Sequence, residues 1–287
     1  MKIVNGFDLI EYAKKNSYVL PAFNTTNLEM TNAIVEGLAE AKVPGFVQIS
    51  SNNLKLSDPK VISDLLSNKL KGYDIPISLH LDHGKSFEDV KACVNAGFTS
   101  IMIDGSHLDY EENIKLVRKC ADYCHFYNIP VEAELGTIKG KEEDIVNGDD
   151  SKTDPNLVYN FVTRSGCDSL AVSVGNVHGL SLEPSLDLEL LKKISEISPV
   201  PLVLHGGSGI PHDLIIEAKK FNLIKINIAS ELRHEFIRTF GEAYEDNPME
   251  ADLISLSLKS KERVKNLVIK KSLGINFDVE CKIISVN

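Results

Sequence analysis

The chain of 287 residues is long enough for two domains of about 150 residues or for one α/β barrel of about 250 residues. Hydrophobic residues make up 43% and charged residues 25%, while 18 Gly and 11 Pro are too few for a disordered or collagen-like polymer, so the composition predicts a globular protein. The 31 Lys and Arg against 41 Asp and Glu give a formal charge of -10, which argues against a nucleic-acid partner or an anionic membrane. Any bound phosphate must therefore be held locally.

No apolar run of signal-peptide length is found at the start of the chain, and no later stretch approaches the roughly 20 apolar residues that span a bilayer. We therefore expect a cytoplasmic protein. The five cysteines are odd in number and scattered, which favours reduced thiols over a disulfide framework. Cys120 and Cys124, followed by His125, have the spacing of a metal site or of one buried helix face, and the buried face is the favoured interpretation.

Eight short β-rich segments alternate with longer segments of helical period. The predicted strands span residues 18–24, 45–50, 76–82, 99–104, 130–135, 168–174, 200–205 and 223–228. The helices predicted between them span residues 28–41, 59–70, 86–96, 110–127, 156–165, 186–197 and 212–220. Eight β/α alternations predict a single-domain (β/α)8 TIM barrel, an α/β fold, over about residues 18–230. The tail, about residues 231–287, carries extra C-terminal helices predicted at 230–240 and 252–271.

A polar residue ends or follows nearly every predicted strand. In chain order these residues are Asn24, Ser50, Asp82 with His83, Asp104, Glu134, His178, His205 and Asn227. Because the loops after the strands of a barrel meet at its C-terminal face, we expect these residues to share one mouth. An open doubly wound sheet, the second-ranked fold, would instead gather its ligand residues at one switch point.

The segment from residue 138 to 153 is polar, contains glycine and is long for a loop between a strand and a helix. Two interpretations remain open for it: a mobile lid over the mouth, or an ordinary solvated loop.

Three histidines, His83, His178 and His205, lie at or just after the ends of the third, sixth and seventh predicted strands. Three imidazoles at one mouth suit a catalytic Zn²⁺, which takes three protein ligands and keeps a position open for substrate. His80 lies within the third strand, two residues before Asp82, and we expect it to support the site from beneath. The remaining histidines, His107, His125, His212 and His234, are expected to make local hydrogen bonds only.

Two glycine-rich loops surround two of these histidines, at residues 175–179 (GNVHG) and 205–209 (HGGSG). Glycine lets backbone N–H groups approach an anionic oxygen, and the N-terminus of a following helix adds positive potential. With residues 227–230 at the next strand end, these loops predict the phosphate site that barrels place after strands seven and eight. A role in turns alone is the less favoured alternative.

These motifs together resemble the class II, metal-dependent ketose-bisphosphate aldolases. The resemblance runs over about residues 24–233 and rests on the segments LHLDH (79–83), IDGS (103–106), EAELG (132–136), GNVHG (175–179), HGGSGIP (205–211) and KINIAS (225–230), which occur in the family's order. It implies reversible cleavage of a fructose- or tagatose-type 1,6-bisphosphate, or of a related ketose phosphate, to dihydroxyacetone phosphate and an aldehyde. In that reaction Zn²⁺ stabilises the enediolate. The reaction belongs to carbohydrate metabolism, as in glycolysis.

The resemblance also implies roles position by position. His83, His178 and His205 would bind Zn²⁺, and Asp82 would be the catalytic acid/base. Dihydroxyacetone phosphate would be held by Gly179, Gly206, Gly207, Ser208, Asn227, Ile228, Ala229 and Ser230. Asp104 and Glu134 match acidic positions that support the site or hold a metal in an alternative place, and Asn24 and Ser50 match polar substrate contacts.

In the lid, Glu142, with Glu143 close behind, matches the carboxylate that completes proton transfer. A second divalent or monovalent cation remains open, as do Co²⁺ and Mn²⁺ in place of Zn²⁺. We expect a homodimer or homotetramer whose partner molecule is a small sugar phosphate.

The tail departs from the family pattern. Where family members that bind a distal phosphate place Asp-Pro-Arg, this chain has Asp252-Leu253-Ile254. A fructose- or tagatose-bisphosphate substrate would then need another cation, for which Lys259, Arg263, Arg233, Arg238 or a partner subunit are the candidates. The alternative is an aldehyde product without the usual phosphate placement. The segment from Ile228 to Arg233 favours the tagatose-type branch.

Three rival functions remain at this point. The first is Schiff-base catalysis by Lys225, which alternates onto the same strand face as Asn227. The second is a metal-dependent hydrolase in which the three histidines activate water. The third is a non-catalytic sugar-phosphate-binding protein, motivated by the altered tail.

Overall fold

The computed structural model describes residues 3–142, 145–147, 151–179 and 185–277. Eight parallel strands close a barrel in which each strand lies next to its neighbours in the sequence, and the eighth strand closes the ring by pairing with the first. These strands are β1 (Leu20–Asn24), β2 (Gly45–Ser50), β3 (Ile77–Gly84), β4 (Ser100–Ile103), β5 (Val131–Leu135), β8 (Ser169–Val172), β10 (Leu202–Leu204) and β11 (Leu223–Ile228). Each lies where a strand was predicted, so the (β/α)8 barrel is confirmed and the open doubly wound sheet is wrong.

Helices surround the barrel between successive strands. They are α1 (Gly6–Asn16), α2 (Leu28–Ala41), α3 (Pro59–Leu70), α4 (Phe87–Ala96), α5 (Tyr110–Phe126), α6 (Pro155–Ser165), α7 (Leu188–Ile197), α8 (His212–Lys219), α9 (Ser230–Asp246) and α10 (Leu253–Ile275), with one turn of 3-10 helix at Asn53–Lys55. Most of them begin at a side chain that accepts a hydrogen bond from the first turn, such as Asn27 for α2 and Ser86 for α4. No helix among the described residues is long and apolar enough to cross a membrane.

Helix α1 was not predicted from the sequence. Its signals are local: the Asn5 side chain accepts a hydrogen bond from the Phe7 N–H, Asp8 lies in the first turn, and Lys14 and Lys15 lie in the last. The backbone N–H groups of Val4 and Gly6 donate to the carbonyls of Ile77 and Thr99, next to the starts of β3 and β4. Helix α1 therefore packs at the end of the barrel opposite to the predicted mouth.

The tail helices α9 and α10 were both predicted and both extend further toward the C-terminus than expected. Helix α10 buries Val264, Val268 and Ile275. Beyond its end, the Asn276 side chain donates to the Val19 carbonyl at 2.7 Å and accepts from the Val19 N–H at 2.9 Å. The tail is therefore attached to the chain just before β1.

Cys120 and Cys124 are buried on one face of α5, and neither takes part in a disulfide. His125, next to them, instead lies with its Nε2 2.9 Å from the Asp168 carboxylate. The interpretation as a buried helix face is confirmed.

The segment expected to be a lid or a loop contains regular structure. Strand β6 (Lys139–Glu142) pairs antiparallel with β7 (Ile145–Asn147) and parallel with the two-residue β9 (Val177–His178). Gly140 pairs with His178 at φ 119°, and a Cβ at this position would collide with the His178 carbonyl oxygen. Only glycine therefore allows β6 to approach the loop that carries His178.

Candidate active site

Three histidines meet at the C-terminal end of the barrel. His83 lies at the end of β3, His178 in β9 and His205 directly after β10. All three are buried, and one ring nitrogen of each lies within 4.8 Å of the corresponding nitrogens of the other two. The structure thus brings together residues that are far apart in the chain.

Carboxylates behind the histidines fix which nitrogen faces the cluster. His83 Nδ1 lies 3.0 Å from Asp104 Oδ2, and His205 Nε2 lies 2.9 Å from Glu132 Oε1. Burial alone would raise the pKa of Asp104, but the hydrogen bond and the charge of His83 hold it well below its ordinary value. Asp104 is therefore an ionised acceptor, which leaves Nε2 of His83 and Nδ1 of His205 as the atoms suited to bind a ligand.

The donor set fits a divalent metal. Nδ1 of His205 and Oε2 of Glu134 are buried and lie 3.3 Å apart, within ion-pair distance. Neither atom makes a well-aligned hydrogen bond, so a divalent cation bound by both would satisfy them. Three imidazoles with room for a fourth ligand match the preference of catalytic zinc.

A second set of metal-ligating atoms overlaps the first. His83, Asp104 and Glu134 also have one ligand atom each within 4.8 Å of the others. Burial and the charge of Asp104 raise the pKa of Glu134. This arrangement corresponds to the alternative metal position expected for Asp104 and Glu134.

Protons compete with a metal at His205. Burial alone would lower its pKa, but the contacts with Glu132 and Glu134 raise it to about 9. A metal ion therefore has to displace a proton from this residue, which makes metal affinity dependent on pH.

Asp82 is fully buried beside His83, and both of its carboxylate oxygens accept hydrogen bonds from amides. Asn24 Nδ2 donates to Oδ2 at 2.7 Å, and Asn227 Nδ2 donates to Oδ1 at 3.0 Å. Gln48 Nε2 in turn donates to Asn24 Oδ1 at 2.7 Å. Two amides from β1 and β11 therefore hold the carboxylate of Asp82 in one orientation.

Gln48 was missed in the sequence. The signal was present, since Gln48 lies two residues before Ser50 in β2 and so points to the same side of the strand. Ser50 itself is buried and pairs with Asp82 in the register of β2 and β3.

A small cavity lies between the glycine-rich loops and the start of α9. Its lining residues are His178, Gly179, Gly206, Ser208, Asn227, Ala229, Ser230 and Arg233. Gly206 has φ 64°, and a Cβ there would collide with the Val177 carbonyl oxygen, so the loop can pass this close only with glycine. Of the residues predicted for the phosphate, Gly207 and Ile228 do not line the cavity: Gly207 packs against Ile226, and the Ile228 side chain is fully buried.

The cavity has the features of an anion site. It lies at the N-terminus of α9, where the helix dipole favours negative charge. Histidines, an acidic residue held by amides and this cavity therefore lie together at the mouth of the barrel.

Comparison with known proteins agrees. A sequence model described as "Fructose-bisphosphate aldolase class-II" matches residues 4–276. The chain belongs to the class II fructose-bisphosphate aldolase family. As a member of this family it is a lyase.

Solved structures of class II aldolases share the fold. The YdjI aldolase from Escherichia coli K12 superposes with a TM-score of 0.84 at 30% identity, covering 98% of this chain and 100% of that chain. Fructose-bisphosphate aldolase from Campylobacter jejuni superposes with a TM-score of 0.79 at 23% identity, covering 96% of each chain, and supports the fold alone.

Among the cations proposed to replace the family's tail arginine, Arg233 is the one that lines the anion cavity. It also lines a neighbouring groove of about 450 Å³ between the start of α2, the 3-10 turn and α9. Arg238 and Arg263 instead donate to glutamates of α9, at 2.8 Å and 2.7 Å. Ile254, at the place of the expected arginine, is 75% exposed.

Glu142 is the last residue of β6, and the structure describes its backbone but not its side chain. Glu143, the second candidate for the lid carboxylate, lies outside the described residues altogether. The backbone of β6 is described, and its residue Gly140 pairs with His178 of β9. Glu142 therefore lies two residues beyond Gly140 along the same strand.

Lys225, the candidate residue for the rival Schiff-base mechanism, lies inside the barrel and is 3% exposed. Its Nζ lies 2.9 Å and 3.1 Å from the two carboxylate oxygens of Glu132. Burial alone would raise the pKa of Glu132, but Lys225 and His205 hold it well below its ordinary value. The Nζ of Lys225 is therefore engaged in a salt bridge with Glu132, whereas Schiff-base chemistry needs an amine that is free to attack the substrate carbonyl.

Proposed function

We propose that this chain is a metal-dependent aldolase that reversibly cleaves a ketose 1,6-bisphosphate of the fructose or tagatose type, or a related ketose phosphate. The products are dihydroxyacetone phosphate and an aldehyde. The observation that carries the proposal is the placement of Asp82, held by two amides, directly beside a cluster of three buried histidines. This arrangement supplies a base and a metal position at one point.

His83, His178 and His205 would hold the metal, and Zn²⁺ is the ion that best matches three imidazole ligands. When bound, it supplies a Lewis acid that polarises the substrate carbonyl and stabilises negative charge during carbon–carbon cleavage. Asp104 orients His83, and Glu134 with Asp104 offers a second position for a divalent cation. A monovalent cation beside the phosphate remains a further proposal.

Asp82 would accept the proton of the substrate C4 hydroxyl as the C3–C4 bond breaks, and would return it in the direction of synthesis. Because Asn24 and Asn227 occupy one oxygen each, the carboxylate is held in place while its remaining lone pairs accept the proton. Ser50, beside Asp82, and Asn24 would also contact the hydroxyl groups of the substrate.

The phosphate of dihydroxyacetone phosphate would lie in the cavity at the start of α9. Backbone N–H groups of Gly179 and Gly206, with those of Ala229 and Ser230, would donate to its oxygens, together with the hydroxyls of Ser208 and Ser230. Arg233 would add the charge that an otherwise acidic chain lacks at this place. Its position between the cavity and the neighbouring groove also suits contact with the distal end of the substrate.

When the C3–C4 bond breaks, C3 keeps the electron pair. Glu142 would give a proton to C3, and this step releases dihydroxyacetone phosphate. The strand that it ends lies over the loop of His178, and a closed strand pair there would keep bulk water from protonating that carbon.

The proposal includes the setting of the enzyme. We propose a single-domain chain that works as a homodimer or homotetramer in the cytoplasm, where reduced thiols persist. The four cysteines among the described residues are free and buried, which suits that compartment.

An assay for dihydroxyacetone phosphate tests the function. Purified protein is given a panel of ketose phosphates, and release of dihydroxyacetone phosphate is followed with a coupled reductase, while free phosphate is measured in parallel. We expect release that a chelator abolishes and that added Zn²⁺ restores. Phosphate release alone would favour the hydrolase, binding without turnover would favour the non-catalytic protein, and activity that resists chelators but is trapped by borohydride would favour Lys225.

Paired histidine variants sharpen this test. His178→Ala removes a proposed ligand, whereas His125→Ala removes an imidazole that contacts Asp168 away from the site. We expect the first variant to lose metal and activity together, and the second to keep both.

A further inference from the structure

A buried polar cluster lies beneath the three histidines, inside the barrel. It consists of His80, Ser100, Glu132 and Lys225, and we call it the basal cluster. These residues come from β3, β4, β5 and β11, and none is more than 4% exposed. Polar groups at this depth are costly unless each one is paired, so the contacts of the cluster decide what it does.

Lys225 uses all of its hydrogens within the cluster. Its ammonium group has three donors, and Nζ lies 2.9 Å and 3.1 Å from the Glu132 oxygens and 3.4 Å from His80 Nε2. His80 Nε2 therefore accepts, so its Nδ1 carries the hydrogen and donates to Ser100 Oγ at 2.7 Å. No donor of Lys225 is left for a substrate, which makes its role one of support.

Glu132 connects Lys225 to a proposed metal ligand. Its Oε1 accepts from His205 Nε2 at 2.9 Å, which leaves Nδ1 of His205, 3.3 Å from Glu134 Oε2, as the nitrogen for a metal. Lys225 contacts both oxygens of Glu132, whereas His205 contacts one. Two contacts from Lys225 thus define the plane of the carboxylate to which His205 binds.

We infer that Lys225 and Glu132 are positioning residues: Lys225 holds Glu132 in place, and Glu132 orients His205 so that Nδ1 points at the metal position. The inference rests on the proposed function, because it needs His205 to be a metal ligand. Without Lys225 the Glu132 carboxylate keeps a single contact, from His205, and can turn about its last side-chain bond. The ring of His205 then loses its fixed orientation, so this ligand is no longer preorganised for metal binding.

Metal affinity of the metal-free protein measures this directly. Lys225→Met keeps the length of the side chain and removes its donors. We expect its affinity for Zn²⁺, from competition with a chromogenic chelator, to fall about tenfold to a hundredfold, the usual effect of losing a partner of a metal ligand. The visible spectrum of bound Co²⁺ should change as well, because it reports the geometry of the ligands.

Lys69→Met is the matched control. Lys69 donates to Glu36 at 2.7 Å between α3 and α2, away from the histidines, so its loss removes a partly buried ion pair elsewhere in the protein. We expect Zn²⁺ affinity and the Co²⁺ spectrum of this variant to equal those of the parent protein. A loss of affinity in Lys69→Met equal to that in Lys225→Met would assign the effect to general destabilisation and overturn the inference.

Glu132→Gln and the double variant test the route through Glu132. Glutamine keeps the size of the side chain but turns one of its oxygens into a donor that opposes Lys225 or His205. We expect Glu132→Gln to weaken Zn²⁺ binding about as much as Lys225→Met, and the double variant to be little worse than either, since both act on one chain of contacts. Losses that simply add would overturn the route.

The outcomes separate this inference from the function itself. Circular dichroism first shows which variants fold, and Glu132→Gln replaces Lys225→Met if the latter does not. Zn²⁺ affinities of folded variants within twofold of the parent would overturn the inference while leaving the proposed function intact. A parent protein that binds no Zn²⁺ would overturn the proposed metal site, and the inference with it.

Discussion

Asn227 donates a hydrogen bond from its side-chain amide to Asp82 at 3.0 Å, joining β11 to β3 across the mouth of the barrel. The other oxygen of Asp82 accepts from Asn24. The two hydrogen bonds therefore fix the orientation in which the buried Asp82 carboxylate can accept a proton.

The first prediction concerns that carboxylate. Asp82→Ala should lower kcat by about a hundredfold to ten-thousandfold, the range typical of general acid–base catalysis, because Asp82 is the proposed acceptor of the hydroxyl proton. Zn²⁺ affinity should change little, since the histidines and their carboxylate partners remain. Steady-state kinetics and chelator competition measure the two quantities, and an Asp82→Ala enzyme with full cleavage activity would refute the assignment.

The second prediction concerns Gln48. Its amide donates to Asn24 Oδ1 at 2.7 Å, and thereby decides which way Asn24 presents its own amide to Asp82. Gln48→Leu should therefore lower kcat about tenfold with unchanged Zn²⁺ affinity. Ser78→Ala is the control, because this buried hydroxyl bonds to Thr99 near the opposite end of β3 and should leave kcat unchanged. Equal kcat values in Gln48→Leu and the parent would contradict the prediction.

The third prediction concerns the glycines of the phosphate loop and the tail. Gly206→Ala should raise KM and lower the melting temperature, because φ 64° and the nearby Val177 carbonyl leave no room for a methyl group. Gly241→Ala is the matched change: nothing lies within 4 Å of its Cβ in the interior of α9. Alanine there should stabilise the chain by roughly 0.5–1 kcal/mol. Thermal unfolding and kinetics of both variants check the prediction, and a Gly206→Ala enzyme with parental KM would speak against it.

The fourth prediction concerns pH. Burial alone would raise the pKa of Glu36, but Lys69 and Lys261 hold it below its ordinary value, so this carboxylate ties α2 to α3 and α10. A group whose pKa is lowered by folding adds stability above its unfolded pKa of about 4.3, and that stability is lost as the pH falls through the folded pKa.

Glu36→Gln should therefore be less stable than the parent at pH 6, and the gap should close as the pH falls below about 4. Denaturant unfolding of the two proteins at a series of pH values measures the gap. A difference in the free energy of unfolding that stays constant down to pH 3 would show that the charge of Glu36 is not its cause.

The fifth prediction concerns the thiols. Burial raises the pKa of Cys120, Cys124 and Cys167 to about 12, so hardly any thiolate exists at pH 8. A Cys281→Ser variant, which removes the one cysteine outside the described residues, should react with a thiol-specific chromogenic reagent only after unfolding. Rapid labelling of the folded variant would contradict this.

The barrel and its histidines were accessible from the sequence because both depend on local patterns. Buried strands read as short apolar runs, and a residue such as His83 or His205 at the end of a run must lie at the mouth once the barrel closes. Asp82 was found for the same reason, as part of the motif that ends β3.

Contacts between distant residues were not accessible. Glu132 shares its motif and its strand face with Glu134, but its role depends on Lys225, which lies 93 positions further along the chain. Gln48 depends in the same way on Asn24, in a neighbouring strand. The pairing of β6 was missed because it forms only where Gly140 meets His178. Helix α1 was missed because it precedes the first strand and so lies outside the β/α alternation.

The pairing of Gly140 with His178 links two events that are usually treated separately. A metal that fixes the imidazole of His178 also steadies β9, and β9 carries the strand that ends at Glu142. In the proposed enzyme, metal binding and closure of this strand pair would therefore be coupled, and by thermodynamic reciprocity a substrate that favours the closed form would raise the affinity for the metal by the same factor.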